Sequence, residues 1–207
     1  MALLATTREF TKSAVRLLAT AIVLPELLSF RVRALLFGRD RALESSTQML
    51  GLIPGLVGQY LRRAFLAHVI GACHPRATIC FGVIFSKTGA RVGANAYIGP
   101  RCHIGLADIE RDVLLAAGVH ITSGMHTHGS GDPSVPIRDQ EGQTTRVRIG
   151  AGSWVGSAAV VMADIGRDTI VGAGAVVTKP LPDRVLAAGV PARVIRSRQE
   201  TALQLSK

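Results

Sequence analysis

The chain has 207 residues, enough for one large domain or one domain with an appendage, and enough to bury a core without disulfides. Its 48% apolar and 18% charged residues exclude a disordered chain, and nine aromatic residues against 22 glycines call for a core of small aliphatic side chains. Lys and Arg outnumber Asp and Glu by ten, which points to acidic partners such as phosphate-bearing cofactors, anionic lipid or nucleic acid.

Residues 1–70 read as a helical, greasy and basic region, with nine basic and four acidic side chains. The uncharged run from Leu17 to Pro25 (LLATAIVLP) would rise about 14 Å as a helix, against roughly 30 Å of bilayer hydrocarbon. Glu26 interrupts it, and even stretched to Phe30 the segment carries Pro25 and Glu26, which argues against a spanning helix; nothing after Phe30 resembles a secretory cleavage site. A second stretch runs from Ser45 to Ile70. Ser45, Ser46 and Thr47 are expected to cap its helix, Pro54 and Gly55 to break it, and Arg62 and Arg63 to give the next turn a cationic face. Two such segments suggest attachment at a membrane surface; the alternative is that they pack on each other or on the main domain.

The composition changes near residue 71, which divides the chain into a helical region 1–70, a domain 71–198 and a tail 199–207. Val92-Gly93, Ile98-Gly99 and Ile104-Gly105 recur every six residues, and Ile109, Leu115 and Ile121 follow after a one-residue contraction. Beyond an interruption come Ile149, Val155 and Val161, then Ile165, Val171 and Val177. A six-residue period is neither helical nor that of a lone strand; it is the signature of a parallel β-helix. One aliphatic residue per hexad points inward, glycine allows the turn between faces, and three hexads close a coil. Residues 74–126 supply about three coils and 149–178 nearly two more, with region 1–70 placed to cap the first and the segment after Pro180 the last. Cys73, Cys80 and Cys102 lack metal-ligand spacing and read as reduced, buried thiols of a cytosolic protein.

Three segments carry a resemblance to a known family. The stretch Ala117 to His126 (AGVHITSGMH), Ile149 to Lys179 (two residues shorter at Met162–Ile165), and Ala188 to Arg196 (AGVPARVIR) are similar to the hexapeptide-repeat acyltransferases, especially the maltose and galactoside O-acetyltransferases. The resemblance covers residues 74–196. It implies a left-handed parallel β-helix, a handedness contrary to the usual crossover rule. It also implies an acyl-CoA-dependent O-acyltransferase, acetyl-CoA as donor, and a homotrimer with active sites between subunits.

Transfer of an acyl group from a thioester to a hydroxyl needs a base, and imidazole suits that task at neutral pH. The resemblance assigns the base to His126, where the coils give way to a loop; His128 could take the role or bind acceptor. Asp108, at the shortened corner, could orient the imidazole or bind an acceptor hydroxyl, or be an ordinary turn residue. In the interruption from Thr127 to Val147, Arg138, Asp139 and Gln140 are candidate acceptor contacts. By the same resemblance Ser157, Ala173, Thr178, Lys179, Arg193 and Arg196 bind the cofactor, with the small residues beside the pantetheine arm and the cations at the phosphates. Trp154 either flanks this groove or packs half-buried. A His-x-His pair at 126–128, with His103 and His120, raises zinc, but no third ligand stands at a telling spacing and no metal is expected.

The asparagine that contacts acceptor in those enzymes would fall near Gly99 and Pro100 and is missing, which argues against a free small sugar. A saccharide of surface polysaccharide or glycolipid synthesis, at the inner face of the cytoplasmic membrane, fits the greasy basic N-terminus better. Nucleic acid is disfavoured, because eight of the nine aromatic residues precede residue 98 and leave the basic tail no stacking platform. The competing reading is a non-catalytic β-helix scaffold at the membrane surface.

Overall fold

The structure, a computed structural model, describes residues 2–198, with side chains described from residue 13 onward; the expected tail 199–207 lies outside the described residues. Three helices precede the β-structure: α1 (Ala2–Phe37), α2 (Arg39–Gly51) and α3 (Gly55–Val69). α1 runs without a break through Pro25. A proline inside a helix costs about 3 kcal/mol, so packing must offset it: Ala19, Val23 and Phe30 are buried against α2 and α3, and the Phe30 ring meets Phe65 edge-on at 5.8 Å. At Gly38, with φ +87°, the chain turns into α2.

The expected cap at Ser45–Thr47 is also corrected. α2 starts at Arg39 and carries these residues in its interior, where Ser46 Oγ donates to the Ala42 carbonyl at 2.9 Å. The Thr47 hydroxyl accepts from Phe85 N at 3.2 Å and donates to Phe85 O at 3.3 Å. Arg62 and Arg63 form no cationic face, because both are buried. Arg62 Nε donates to Ile79 O at 3.1 Å, and its Nη1 to Leu50 O and Ile53 O at 2.9 and 2.7 Å. The helices therefore cap the open edge of the β-structure with polar side chains, satisfying backbone groups that would otherwise be stranded.

Up to Val177 the strands are two or three residues long, and with Val185–Ala188 they form three parallel ladders, the faces of a β-helix of about six turns. Ala72–Cys73, Thr78–Ile79 and Ile84–Phe85 begin the first, second and third faces. On the second face Ile79, Ile98, Leu115, Val155, Val171 and Ala187 stack in register. On the third, Phe85, Ile104, Ile121, Val161 and Val177 do the same. All of these are essentially inaccessible, and each fully buried aliphatic side chain contributes about 1.5–3 kcal/mol. The hexad positions read from the sequence are these inward residues.

The hexad glycines serve a purpose other than turning. A Cβ on Gly156 would lie 2.5 Å from Ala173 N, and one on Gly99 would lie 2.7 Å from Ala116 C, so they are glycine because the next coil passes too close. Left-handed backbone occurs instead further into the corners, as at Gly118, Ala158 and Gly174. A sixth turn begins at Leu181, which bridges to Ile165, and includes the strand Val185–Ala188. The closing strand Arg193–Ser197 then pairs antiparallel with Val185–Ala188 and ends the parallel stack.

Candidate active site

The site is assembled at two edges of the third face. At one edge the strand His120–Ile121 ends, and the chain leaves the coil at Thr122, whose hydroxyl donates to Gly124 O at 2.8 Å. Gly124 takes φ +90°, and a side chain there would press within 2.9 Å of Thr145 Cβ. The outgoing and returning limbs are joined by two backbone bonds, Thr145 N to Ser123 O at 2.7 Å and Gln143 N to His126 O at 2.6 Å. Ser123 Oγ also accepts from Leu106 N at 3.0 Å, which ties the stem to the third coil. His126 is thus fixed through its backbone while its imidazole is exposed and makes no hydrogen bond among the described residues.

His128 is exposed two residues further on. The loop tip is organised by Asp132 and Gln140. The Asp132 carboxylate accepts from Ser134 N and Oγ at 2.9 and 2.6 Å, and Gln140 Nε2 donates to the carbonyls of Asp132 and Val135 at 2.7 and 2.8 Å. A short 3₁₀ turn, Ile137–Asp139, carries Arg138 outward beside Asp139 at 3.6 Å. Gln140 is therefore committed to holding the loop, and a cleft of about 470 Å³ lies between Ser130 and Gln140.

Among the described residues the hydrogen-bond partner of the Asp108 carboxylate is Arg146, and no imidazole is bonded to it. The carboxylate accepts from Arg146 Nη1 at 2.7 Å, and the same nitrogen donates to Gly89 O at 2.7 Å. The pair closes the base of the loop where the chain returns to the strand Val147–Ile149, which lies directly over Ala107–Ile109. Sequence reasoning missed Arg146; its position one residue before the resumed hexads was the available signal.

The residues expected to bind cofactor fall in three places. Thr178 and Lys179 follow the strand Val176–Val177, at the same edge of the third face as His126 and two coils further on, about 10 Å along the axis. Ser157 and Ala173 lie at the opposite edge, on successive coils, with Gly174 N donating to Ser157 O at 2.8 Å. Both are exposed, in a corner whose neighbours Gly156, Gly172 and Gly174 leave it shallow. Arg193 joins this corner, because it pairs with Ala188, whose Cβ sits over Gly172. Arg196 lies further along the closing strand, opposite Leu186 on the second face. Trp154 is outward and half-exposed in the middle of that second face, stacked between Leu114 and Ile170. One chain therefore carries a base at one edge of the third face and a small-residue groove at the other.

His103 and His120 sit on the third face itself, outward and in register, with His103 Nδ1 and His120 Nε2 2.9 Å apart. Among the described residues no group of three or more His, Cys, Asp or Glu side chains is placed to hold a metal ion. The cysteines are unpaired; burial pushes Cys73 up to about 12 and Cys102 up to about 11, so neither is a ready nucleophile.

A sequence profile described as "Hexapeptide repeat of succinyl-transferase" matches residues 89–123 and 146–179. Over 132 residues the chain is 33% identical to WbbJ of Escherichia coli, named for lipopolysaccharide biosynthesis O-acetyl transfer, covering 59% of this chain and 65% of that protein. The chain thus spans just under two thirds of that relative. It is 29% identical to the galactoside O-acetyltransferase of Escherichia coli over 164 residues, covering 69% of this chain and 80% of the enzyme. A hexapeptide-repeat acetyltransferase of Vibrio cholerae, solved in complex with acetyl coenzyme A, shares the fold with a TM-score of 0.61 at 23% identity, covering 76% and 87% of the two chains.

Proposed function

We propose that this chain is a hexapeptide-repeat acyltransferase, and from that premise an acyl-CoA-dependent O-acetyltransferase acting on a saccharide hydroxyl; the matching repeat model and the acetyltransferase relatives support the reading. One observation carries the proposal: a stem pinned by two backbone hydrogen bonds presents the exposed imidazole of His126 at a coil edge. A base held so on a rigid scaffold is in position to be aimed at a bound hydroxyl.

In this reading His126 removes the proton of the acceptor hydroxyl as its oxygen attacks the thioester carbonyl carbon. The tetrahedral intermediate collapses with cleavage of the carbon–sulfur bond, and the proton passes from the imidazole to the departing sulfur of coenzyme A. Ser157 and Ala173 leave room for the pantetheine arm along the corner, while Lys179, Arg193 and Arg196, with Thr178, meet its polar groups. Because the groove and the base stand at opposite edges of one face, a homotrimer would complete each site by setting the groove of one copy against the His126 edge of the next. Asp108 with its Arg146 partner, and His128 and Arg138 from the loop, would then face the acceptor. The relatives named for lipopolysaccharide and galactoside acetylation support a saccharide. A substrate of surface polysaccharide or glycolipid synthesis would be met by a cytoplasmic enzyme held at the inner membrane face through region 1–70.

The test is release of free thiol from acetyl-CoA in the presence of candidate saccharides. His126→Ala should lower kcat by about 100- to 10,000-fold with little change in coenzyme A binding. Unchanged turnover in that variant would remove the proposed base.

A further inference from the structure

α1 exposes far more aliphatic surface than a helix on a soluble surface. From Ser13 to Phe37 its length and composition suffice to cross a membrane, yet only one of its sides is covered. Arg16, Glu26 and Arg33 lie toward the covered side, with Glu26 paired to Arg33 and Arg33 Nη1 and Nη2 donating to Ser45 and Ser46 at 2.9 Å. The outward side carries Leu17, Ile22, Leu24, Leu28, Leu35 and Leu36, each more than half exposed, with the exposed Arg31 as the cation among them. An aliphatic surface of this extent is not left in water.

The helix does not stand clear enough to span. Its inner side packs on α2 and α3 throughout, and those helices are fastened to the first coil by Arg62 and Thr47. Spanning would draw the charged Arg39, Asp40 and Arg41 of α2 toward hydrocarbon, whereas lying in the plane of a membrane surface buries only the aliphatic side.

Where α1, α3 and the first coil meet, a cavity of about 350 Å³ is lined by Arg16, Arg63 and Arg76 together with Tyr60, Thr78 and Asn95, and by no carboxylate among the described residues. Arg16 Nε is buried without a hydrogen-bond partner. Arg63 lies over the Tyr60 ring at 5.0 Å and donates to Pro75 O; burial, then the charge of Arg16, holds its guanidinium below the ordinary value. The carboxylate of Asp112, behind Asn95, is already engaged by Asn95 Nδ2 at 2.9 Å and Arg111 Nη1 at 3.1 Å. Among the described residues the lining itself holds no negative charge, and Leu56 at its rim, with Leu17 next to Arg16 in α1, joins it to the apolar side of that helix.

We propose that this cavity binds the phosphate of an anionic phospholipid headgroup while the outward side of α1 lies among the acyl chains. The assignment rests on the membrane-surface reading above and is independent of the acyl-transfer reading. The test is flotation of the full chain with phosphatidylcholine vesicles, with and without phosphatidylglycerol. Binding should be at least about tenfold stronger with phosphatidylglycerol, and Arg16→Gln/Arg76→Gln should erase that preference while binding to phosphatidylcholine alone is unchanged. Leu28→Glu/Leu35→Glu should abolish binding to both, with unaltered melting showing that the fold survives. Equal binding to both vesicles, or a double arginine variant that behaves as the parent, would overturn the headgroup assignment. So would thermal stabilisation by inorganic phosphate without vesicle binding, which would make the ligand a soluble phosphate. An oligomer that Leu28→Glu/Leu35→Glu dissociates, again without vesicle binding, would give the apolar side to a second copy of the chain. Acetyl-CoA turnover on a soluble saccharide should be equal in parent and double arginine variant. Its absence from both would sink the proposed activity and leave the cavity assignment standing.

Discussion

The third coil and the loop that leaves it are consecutive in the chain, yet they are held by different forces. Ile121, the last strand residue, is sealed between Ile104 and Val161 and owes its place to packing. Ile137, at the loop tip, is an aliphatic residue of the same kind and is 62% exposed. What holds the loop is a small set of hydrogen bonds, from Ser123–Thr145 and His126–Gln143 at the stem to Asp132–Gln140 at the tip. Stability is thus stored in the coils, while the proposed chemistry sits on a segment with little packing of its own. The same division lets a rigid scaffold carry a variable site.

The sharpest way to break this comparison is to make the same change in both places. Ile121→Ala should cost about 3 kcal/mol, as transfer loss and cavity add in a core that cannot collapse. Ile137→Ala should stay within about 0.5 kcal/mol. Urea unfolding of both variants checks the contrast, and similar midpoints would show that the loop is more integral than its exposure indicates. Gly124→Ala tests the junction. It combines a left-handed backbone with a contact to Thr145, so a loss of about 2 kcal/mol is expected, with reduced turnover because the His126 stem must shift. Loss of stability without loss of turnover would show that the stem does not position the site.

The coils were legible in the sequence because each inward position obeys one rule. Val92, Ile98 and Ile104 repeat with a fixed period, and a neighbour one coil away imposes the same demand on the next hexad. The helical region has no such repetition. Ser46 and Thr47 carry the chemistry of a cap, but a hydroxyl that can accept from a free helix end can equally bond back to Ala42 or reach across to Phe85. Arg62 and Arg63 read as charge for water, since nothing local announces the open edge of a β-helix that needs donors. That one helix would continue through Pro25 was not legible either, because the packing of Ala19, Val23 and Phe30 that outweighs the proline is tertiary. In the site, His126 was legible from the end of the repeat and from the resemblance. The division of the cofactor residues between two edges was not, because it depends on how coils stack.

Arg146 sharpens the comparison from the loop's return. It joins Asp108 to Gly89 and so fastens the loop to two coils, but both partners of the ion pair are about a third exposed. Arg146→Gln should therefore cost about 1 kcal/mol or less in thermal melting. A loss as large as that of Ile121→Ala would place this clamp among the main supports of the fold.

The smallest effect belongs to the histidines of the coil face and appears only with pH. Burial, and then the neighbouring His120, keep the His103 imidazole below its ordinary value, with Glu44 opposing. Its Nε2 is buried without a partner, so an added proton there gains no hydrogen bond. As pH falls below about 6.5, the unfolded chain takes up a proton at this residue before the folded chain does. Stability should therefore decline from about pH 6.5 down to the lowered value of His103, and be unaffected above it. His103→Gln removes the titrating group and should flatten that part of the melting-temperature profile. His128→Gln, on the loop and away from this pair, should leave the slope as it is. If the two substitutions acted the other way round, the acid sensitivity would lie with the loop, and the view that the coils carry the stability would fail at this face.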